Sequence, residues 1–263
     1  MSQSAGGSLA LRNPHSVLAA LQTRPDDVLR VALPPSGGQR GATEAAGDAW
    51  DQVAKLARQY KIQIQNASPA AAAGDSRGRD KDREGGRVSG AHAMVRERTG
   101  VSAEKLFDDA RERLDGKGLW LALDSLQDPQ NVGAIFRTAA FFGVQGILLT
   151  TERSAPLSAA AYDVASGGME YVPFTQQVNL QRGFEAAKEA GLWILGTSEH
   201  ARETLGGVQK DRPWLVVLGN EERGIRRLTE ESCDVMCRID PKGEGVKSLN
   251  VSVAAGILMG QLG

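Results

Sequence analysis

The stretch LWLALDSLQDPQNVGAIFRTAAFFGVQGILLT, residues 119–150, decides the fold. It opens on the apolar run LWLAL (119–123) and closes on another, GILLT (146–150). Each is too short for a helix and too uniformly apolar for a half-exposed strand. Between them Asp128-Pro129 marks a turn, and over roughly 131–143 the apolar residues recur at helical spacing. Two fully buried strands joined by a helix describe a parallel pair with its crossover. The rhythm continues through LWILG (192–196), WLVVL (214–218) and VMCRI (235–239), with helices expected at 157–165, 181–190 and 249–262. Residues 118–263 are therefore expected to form an α/β domain with a mostly parallel sheet. In such sheets ligands sit beyond the carboxyl ends of the strands.

Toward the amino end the pattern is smaller and looser. Pro14 suits a helix start, with Val17, Leu18 and Leu21 on one face, and VLRVAL (28–33) reads as a strand stopped by Pro34-Pro35. TEAAGDAWDQVAKLARQY (43–60) is amphipathic with Trp50, Val53, Leu56 and Ala57 inward, and KIQIQ (61–65) alternates as a strand does. These elements outline a small α/β domain over 9–96. Inside it, ASPAAAAGDSRGRDKDREGGRV (67–88) has almost nothing to bury and is expected to be a mobile charged loop. A linker, 97–117, follows, with SAEKLFDDARERL (102–114) as a helix capped by Ser102.

Composition sets the outer bounds. The 263 residues are 41% hydrophobic and 24% charged, which excludes a disordered or fibrous chain. A net charge of −1 gives no global field toward nucleic acid, so any basic surface must be local. Arg137, Arg223, Arg226, Arg227 and the charged loop could assemble one. Two cysteines and three histidines offer neither a disulfide scaffold nor a structural metal site, and no metal is expected. No apolar run reaches membrane-span length, and MSQSAGGSLA lacks a signal-peptide pattern, so a cytoplasmic protein is expected.

Three loops at expected strand ends carry chemistry. DSLQDPQNVGAIFRTAAFFG (124–143) offers Asn131, which reads as a helix N-cap, and Arg137 on a largely apolar helix. GNEERG (219–224) has glycines at both ends for close backbone approach, yet its Glu221 and Glu222 would repel phosphate. It suits a cationic ligand or ribose hydroxyls. DPKGEGVKSLNVSVAAG (240–256) places Ser248 and Asn250 at the mouth of an apolar helix, where capping accounts for only one of them.

Together these segments resemble the SpoU (TrmH) branch of the SPOUT RNA ribose methyltransferases. The match runs through D-x-x-x-D-P-x-N-x-G-A-x-x-R-T-A at 124–139, G-N-E-x-x-G at 219–224 and P-x-x-x-x-x-x-S-L-N-V-S-V-A at 241–254. VASGGMEYVPF (164–174) is similar to the segment between the first two motifs. The resemblance implies a C-terminal deep trefoil knot, S-adenosylmethionine as cofactor, a homodimer, and transfer of a methyl group to a ribose 2′-hydroxyl. It implies catalytic roles for Asn131, Arg137, Glu221, Ser248 and Asn250, and cofactor contacts at Thr197, Leu218, Gly219, Ile239 and Leu249. Residues 9–96 resemble the RNA-binding domain of the subgroup acting on large-subunit ribosomal RNA, which makes that RNA the expected substrate. One departure stands out: Asp240 intervenes between Ile239 and Pro241, where the family runs Ile-Pro.

Other readings remain open at this point. A transfer RNA ribose methyltransferase, an antibiotic-resistance methylase of ribosomal RNA, and an inactive RNA-binding module on the same fold share much of the pattern. A dinucleotide-binding Rossmann enzyme does not, because no Gly-rich first turn is followed by a ribose-binding acid.

Overall fold

The computed structural model describes residues 7–34, 44–68, 90–108, 110, 117–246 and 248–263. Of the charged segment 67–88, residues 69–88 lie outside these, as does most of the second half of the helix expected at 102–114. The chain divides into two compact units, residues 1–98 and 99–263.

In the first unit the elements run β1 (Ser8–Leu11), α1 (Pro14–Thr23), β2 (Val28–Leu33), α2 (Glu44–Gln59), β3 (Gln63–Asn66) and β4 (His92–Arg96). The sheet order is β1-β4-β2-β3, with β4 antiparallel to both its neighbours and β2 parallel to β3. Asn13 caps α1 by accepting from the His15 amide, and Pro14 fills the first helical position, where a missing N–H costs nothing. Leu11, Val17, Leu21, Val31, Val53, Ala57 and Val95 are fully buried between sheet and helices. Leu18 and Leu56, expected inward, are only half-buried.

The second unit contains α3 (Ala103–Phe107), β5 (Leu119–Leu123), α4 (Pro129–Phe142), β6 (Gly146–Thr150), α5 (Ala159–Ala165), α6 (Gly168–Tyr171) and β7 (Phe174–Gln177). It continues with α7 (Gln181–Glu189), β8 (Trp193–Thr197), β9 (Glu203–Thr204), β10 (Trp214–Leu218), α8 (Arg227–Glu231), β11 (Val235–Arg238) and α9 (Val251–Leu262). Its seven strands are ordered β7-β6-β5-β10-β8-β11-β9, and every pair is parallel. The mostly parallel α/β sheet read from the apolar runs is thus the one the chain forms. All residues of β5, β6 and β10 are buried, as helices on both faces require. Leu106 and Phe107 of α3 join Trp120, Leu148, Phe184, Ile194 and Leu215 in the core. The Trp120 indole is satisfied there by the Leu106 carbonyl at 3.0 Å.

Strand order places the functional region. From β5 the chain steps outward to β6 and β7, then returns to lay β8 and β10 on the other side of β5. The direction of winding therefore reverses between β5 and β10, and in open parallel sheets such a switch point is where ligands bind, beyond the carboxyl ends of the strands.

One sequence expectation needs correction. The helix after β5 starts at Pro129, with Asp128 as its cap accepting from the Gln130 amide at 2.8 Å. Asn131 is therefore not the N-cap. It sits inside the first turn and is buried, 8% exposed, which frees its side chain for other partners.

Candidate active site

Three strand-end loops meet through a single amide. Asn131 Nδ2 donates to Glu221 Oε1 at 2.9 Å, and Asn131 Oδ1 accepts from Asn250 Nδ2 at 3.0 Å. The orientation is fixed from both ends. Glu221 as a carboxylate can only accept, and Asn250 Oδ1 is already engaged by the Ser252 amide at 2.9 Å as the cap of α9. Asn250 thus caps its helix with one atom and reaches the first loop with the other.

Glu221 stands on a loop that closes on itself. Asn220 and Gly224 exchange backbone hydrogen bonds at 3.0 and 2.9 Å, and Asn220 Oδ1 accepts from the amides of Glu222 and Arg223. The closure needs glycine at its root, because a Cβ on Gly219 would lie 2.2 Å from the Gly224 carbonyl carbon. The loop's legs rest on the end of β5. Asn220 Nδ2 donates to the Ser125 carbonyl at 3.0 Å, and Arg226 Nε lies 2.7 Å from the wholly buried Asp124.

The remaining expected residues fall around this frame. Thr197, Leu218 and Ile239 end or follow β8, β10 and β11, and β8 lies between the other two. Thr197 Oγ1 donates to the Val217 carbonyl at 2.9 Å, tying β8 to β10 there. Gly219 is half-buried, and Leu249 is 48% exposed. Arg137 projects from the middle of α4, is exposed, and makes no hydrogen bond or ion pair among the described residues. Ser248 is likewise exposed and is not drawn into the Asn131 run. The intervening Asp240 turns out to be tethered: Arg238 Nε lies 2.8 Å from its carboxylate, while Arg238 Nη1 holds the Ala201 and Arg202 carbonyls.

Two of the arginines expected on a basic surface are already committed. Arg226 is paired with Asp124 and Arg227 with Glu231, leaving Arg137 and Arg223 of that set among the described residues. Sequence reasoning quoted Asp124 and Asn220 as motif positions but gave them no role, and it passed over Ser125, whose only signal was its place just after β5. Burial pushes the Cys233 thiol up to about 12 and the Cys237 thiol up to about 11, so neither is an activated nucleophile. Among the described residues no group of three or more His, Cys, Asp or Glu forms a metal site, and no helix is long and apolar enough to cross a membrane.

The chain is similar to the 23S rRNA (guanosine-2′-O-)-methyltransferase RlmB of Nitrosomonas europaea, 45% identical over 153 residues, covering 58% of each chain. It is 41% identical over 159 residues to RlmB of Pseudomonas aeruginosa, covering 60% of this chain and 64% of the relative. These alignments span less than two thirds of either relative's length. In fold it is similar to the SpoU methyltransferase AviRb of Streptomyces viridochromogenes solved with AdoMet, with a TM-score of 0.71 at 18% identity over 97% of this chain and 89% of that one. An AdoMet-bound rRNA methyltransferase of Sinorhizobium meliloti gives 0.69 at 18% identity, over 97% and 86%. The SpoU rRNA Methylase family model matches residues 118–260, the stretch that holds the parallel sheet and all three loops. That match takes in more than half of the chain, which therefore belongs to the SpoU rRNA methylase family.

Proposed function

We propose that this chain is an RNA methyltransferase that moves a methyl group from S-adenosylmethionine to a ribose 2′-hydroxyl in large-subunit ribosomal RNA. The observation that carries the reading is the Glu221–Asn131–Asn250 run, which welds three separate loops into one site at the switch point of the sheet. The names of the RlmB relatives favour ribosomal over transfer RNA and a guanosine as the target.

The residues fit the cofactor. Thr197 and Leu218 end β8 and β10 and Ile239 follows the adjacent β11, and Leu249 adds an exposed apolar side chain. Glu221 gives this region a carboxylate, which suits a cationic ligand. When bound, S-adenosylmethionine supplies a methyl group made electrophilic by its sulfonium. Leu218, Gly219, Ile239 and Leu249 hold the cofactor, with Thr197 fixing the end of β8.

The catalytic work falls on the polar set. A ribose hydroxyl is a very weak acid, so the site must stabilise the developing alkoxide. Arg137 is a guanidinium that makes no ion pair among the described residues, and its fork of donors suits a phosphate. It clamps an RNA phosphate and stabilises negative charge on the attacking oxygen. Asn131, Glu221 and Asn250 keep the loops in register, and the exposed Ser248 hydroxyl contacts substrate. Holding the hydroxyl at the methyl group then supplies much of the rate through proximity.

Three finer points belong to the same proposal. The path from β11 to α9 must cross the carboxyl ends of β8 and β10 to bring Asn250 to Asn131, which supports a C-terminal knot. On the adjacent helices α4 and α9, Phe141, Phe142, Val253 and Ile257 are 84, 42, 51 and 38% exposed, an apolar face that suits a second copy of the chain. Residues 9–96 serve as an RNA-binding domain of this cytoplasmic enzyme.

The test is methyl transfer from labelled S-adenosylmethionine to unmodified large-subunit ribosomal RNA and, separately, to transfer RNA, with nucleoside analysis of the product. A 2′-O-methylated guanosine in ribosomal RNA is the expected result. Label in transfer RNA alone would overturn the substrate, and cofactor binding without transfer to either would favour the inactive binding module.

A further inference from the structure

Asp124 is the one fully buried carboxylate among the described residues, and nothing in the chemistry above uses it. Its Oδ1 lies 2.7 Å from Arg226 Nε and accepts from Ser125 Oγ at 3.1 Å, while Oδ2 accepts from the Arg226 amide at 3.2 Å. Arg226 is thus held by an ion pair at its side chain and a hydrogen bond at its amide, although its buried Nε–H is not aligned to donate to the carboxylate. Removing a carboxylate from water is costly, and a well-packed apolar pair often serves stability equally well. What an apolar pair cannot do is fix direction.

The second leg of the same loop is fixed one residue along. Ser125 takes φ 61°, a left-handed conformation uncommon for a residue with a Cβ, and its carbonyl receives Asn220 Nδ2. Its amide is held in turn by Thr150 Oγ1 at 2.8 Å. The loop from Gly219 to Arg226 is therefore gripped at both legs by two consecutive residues at the end of β5, with Glu221 near its tip. A loop of eight residues that is clamped so tightly at its base has little freedom left.

We infer that Asp124 and Arg226 form a latch that holds the 219–226 loop in its cofactor-binding shape, so that Arg226 is a positioning residue and not an RNA contact. The inference deepens the methyltransferase reading and rests on it for the ligand. The loop presents Gly219 to the cofactor and Glu221 to Asn131, so loosening its base displaces both at once. Arg223, exposed on the same loop and without an acidic partner among the described residues, is left as the cation facing RNA.

Asp124→Asn, Arg226→Gln and Arg223→Gln variants separate these roles. Amide hydrogen exchange of Asn220, Glu222, Arg223 and Gly224 in the cofactor-free protein reads the latch directly. S-adenosylmethionine titration and the salt dependence of RNA binding read its consequences. With folding verified by Tm, Asp124→Asn and Arg226→Gln are expected to speed exchange of these amides and to weaken cofactor binding about tenfold or more. The double variant is expected to be no worse than the worse single one. Both should leave the salt slope of RNA binding unchanged, whereas Arg223→Gln should lower it by about one unit with the loop still protected. Arg226→Lys, which keeps the charge and the backbone bond, should recover part of the affinity.

Unchanged exchange in folded Asp124→Asn would overturn the latch, as would a salt slope reduced by Arg226→Gln. Should Asp124→Asn not fold, Arg226→Gln decides, since it retains the backbone bond to Asp124. A wild-type protein that binds no S-adenosylmethionine would defeat the methyltransferase reading, while the exchange data would still decide the latch.

Discussion

An amide side chain can donate on one side and accept on the other, and Asn131 uses both. Aspartate there would set a second carboxylate against Glu221, and leucine would leave Asn250 Nδ2 unpaired. Arg137 differs in kind, since it supports nothing in the resting fold. Arg137→Ala is therefore expected to keep Tm and cofactor affinity within about twofold of wild type while methyl transfer falls by at least about a hundredfold, as loss of a preorganised electrostatic group does. Calorimetry beside a transfer assay checks this, and lost cofactor binding would reassign Arg137 to the cofactor pocket. Both residues stood out in the sequence, as did Glu221 and Asn250, but the hydrogen bonds that join Asn131 to those two did not. Asn131 read as a cap because Asx residues before apolar runs usually are. Arg226 read as a surface cation because its partner Asp124 is 102 residues away along the chain.

At the scale of elements, what presents Arg137 is the back of its own helix. Gly168, at the start of α6, lies so close beneath α4 that a Cβ there would come within 2.6 Å of the Phe136 carbonyl oxygen and 2.8 Å of the Arg137 Cα. Backbone cannot yield as a flexible side chain can. Gly168→Ala is expected to cost about 1–3 kcal/mol, the usual range for overpacking. It should lower Tm by several degrees and lower kcat more than cofactor affinity. Unchanged kcat in the folded variant would show that α6 plays no part in placing Arg137. Unlike the short β7 and β9, the strands β5, β6, β8, β10 and β11 were legible because runs such as WLVVL and GILLT are buried on both faces and have no polar alternative. β1 and β4 were not. Ser8–Leu11 and His92–Arg96 are short and weakly patterned, and each becomes a strand by pairing with the other across more than 80 residues (Ser8 opposite Arg96). The sequence around residue 129 held the true start of α4 in plain form, Asp-Pro, but Asn131 offered a competing cap three residues later.

For the molecule as a whole, the exposed face of α4 and α9 has a consequence for assembly. Phe141 is 84% exposed and stacks edge-on against Phe142 at 5.2 Å, more apolar surface than a lone helix pair gains by showing to water. Phe141→Glu is expected to shift the protein from dimer to monomer in sedimentation or light scattering with Tm little changed, and a wild-type monomer at micromolar concentration would remove that face as an interface. A different consequence follows from the hydrogen bond between Asn131 and Asn250, which joins residues 119 apart in the chain. Chains leave the ribosome from the amino end, and earlier segments can fold before later ones exist. The seven-stranded sheet can be complete once β11 has emerged, yet Asn131 waits without its second partner until α9 is made and docks beside α4. The order of synthesis therefore leaves the proposed site incomplete for as long as it takes to make the 119 residues from Asn131 to Asn250.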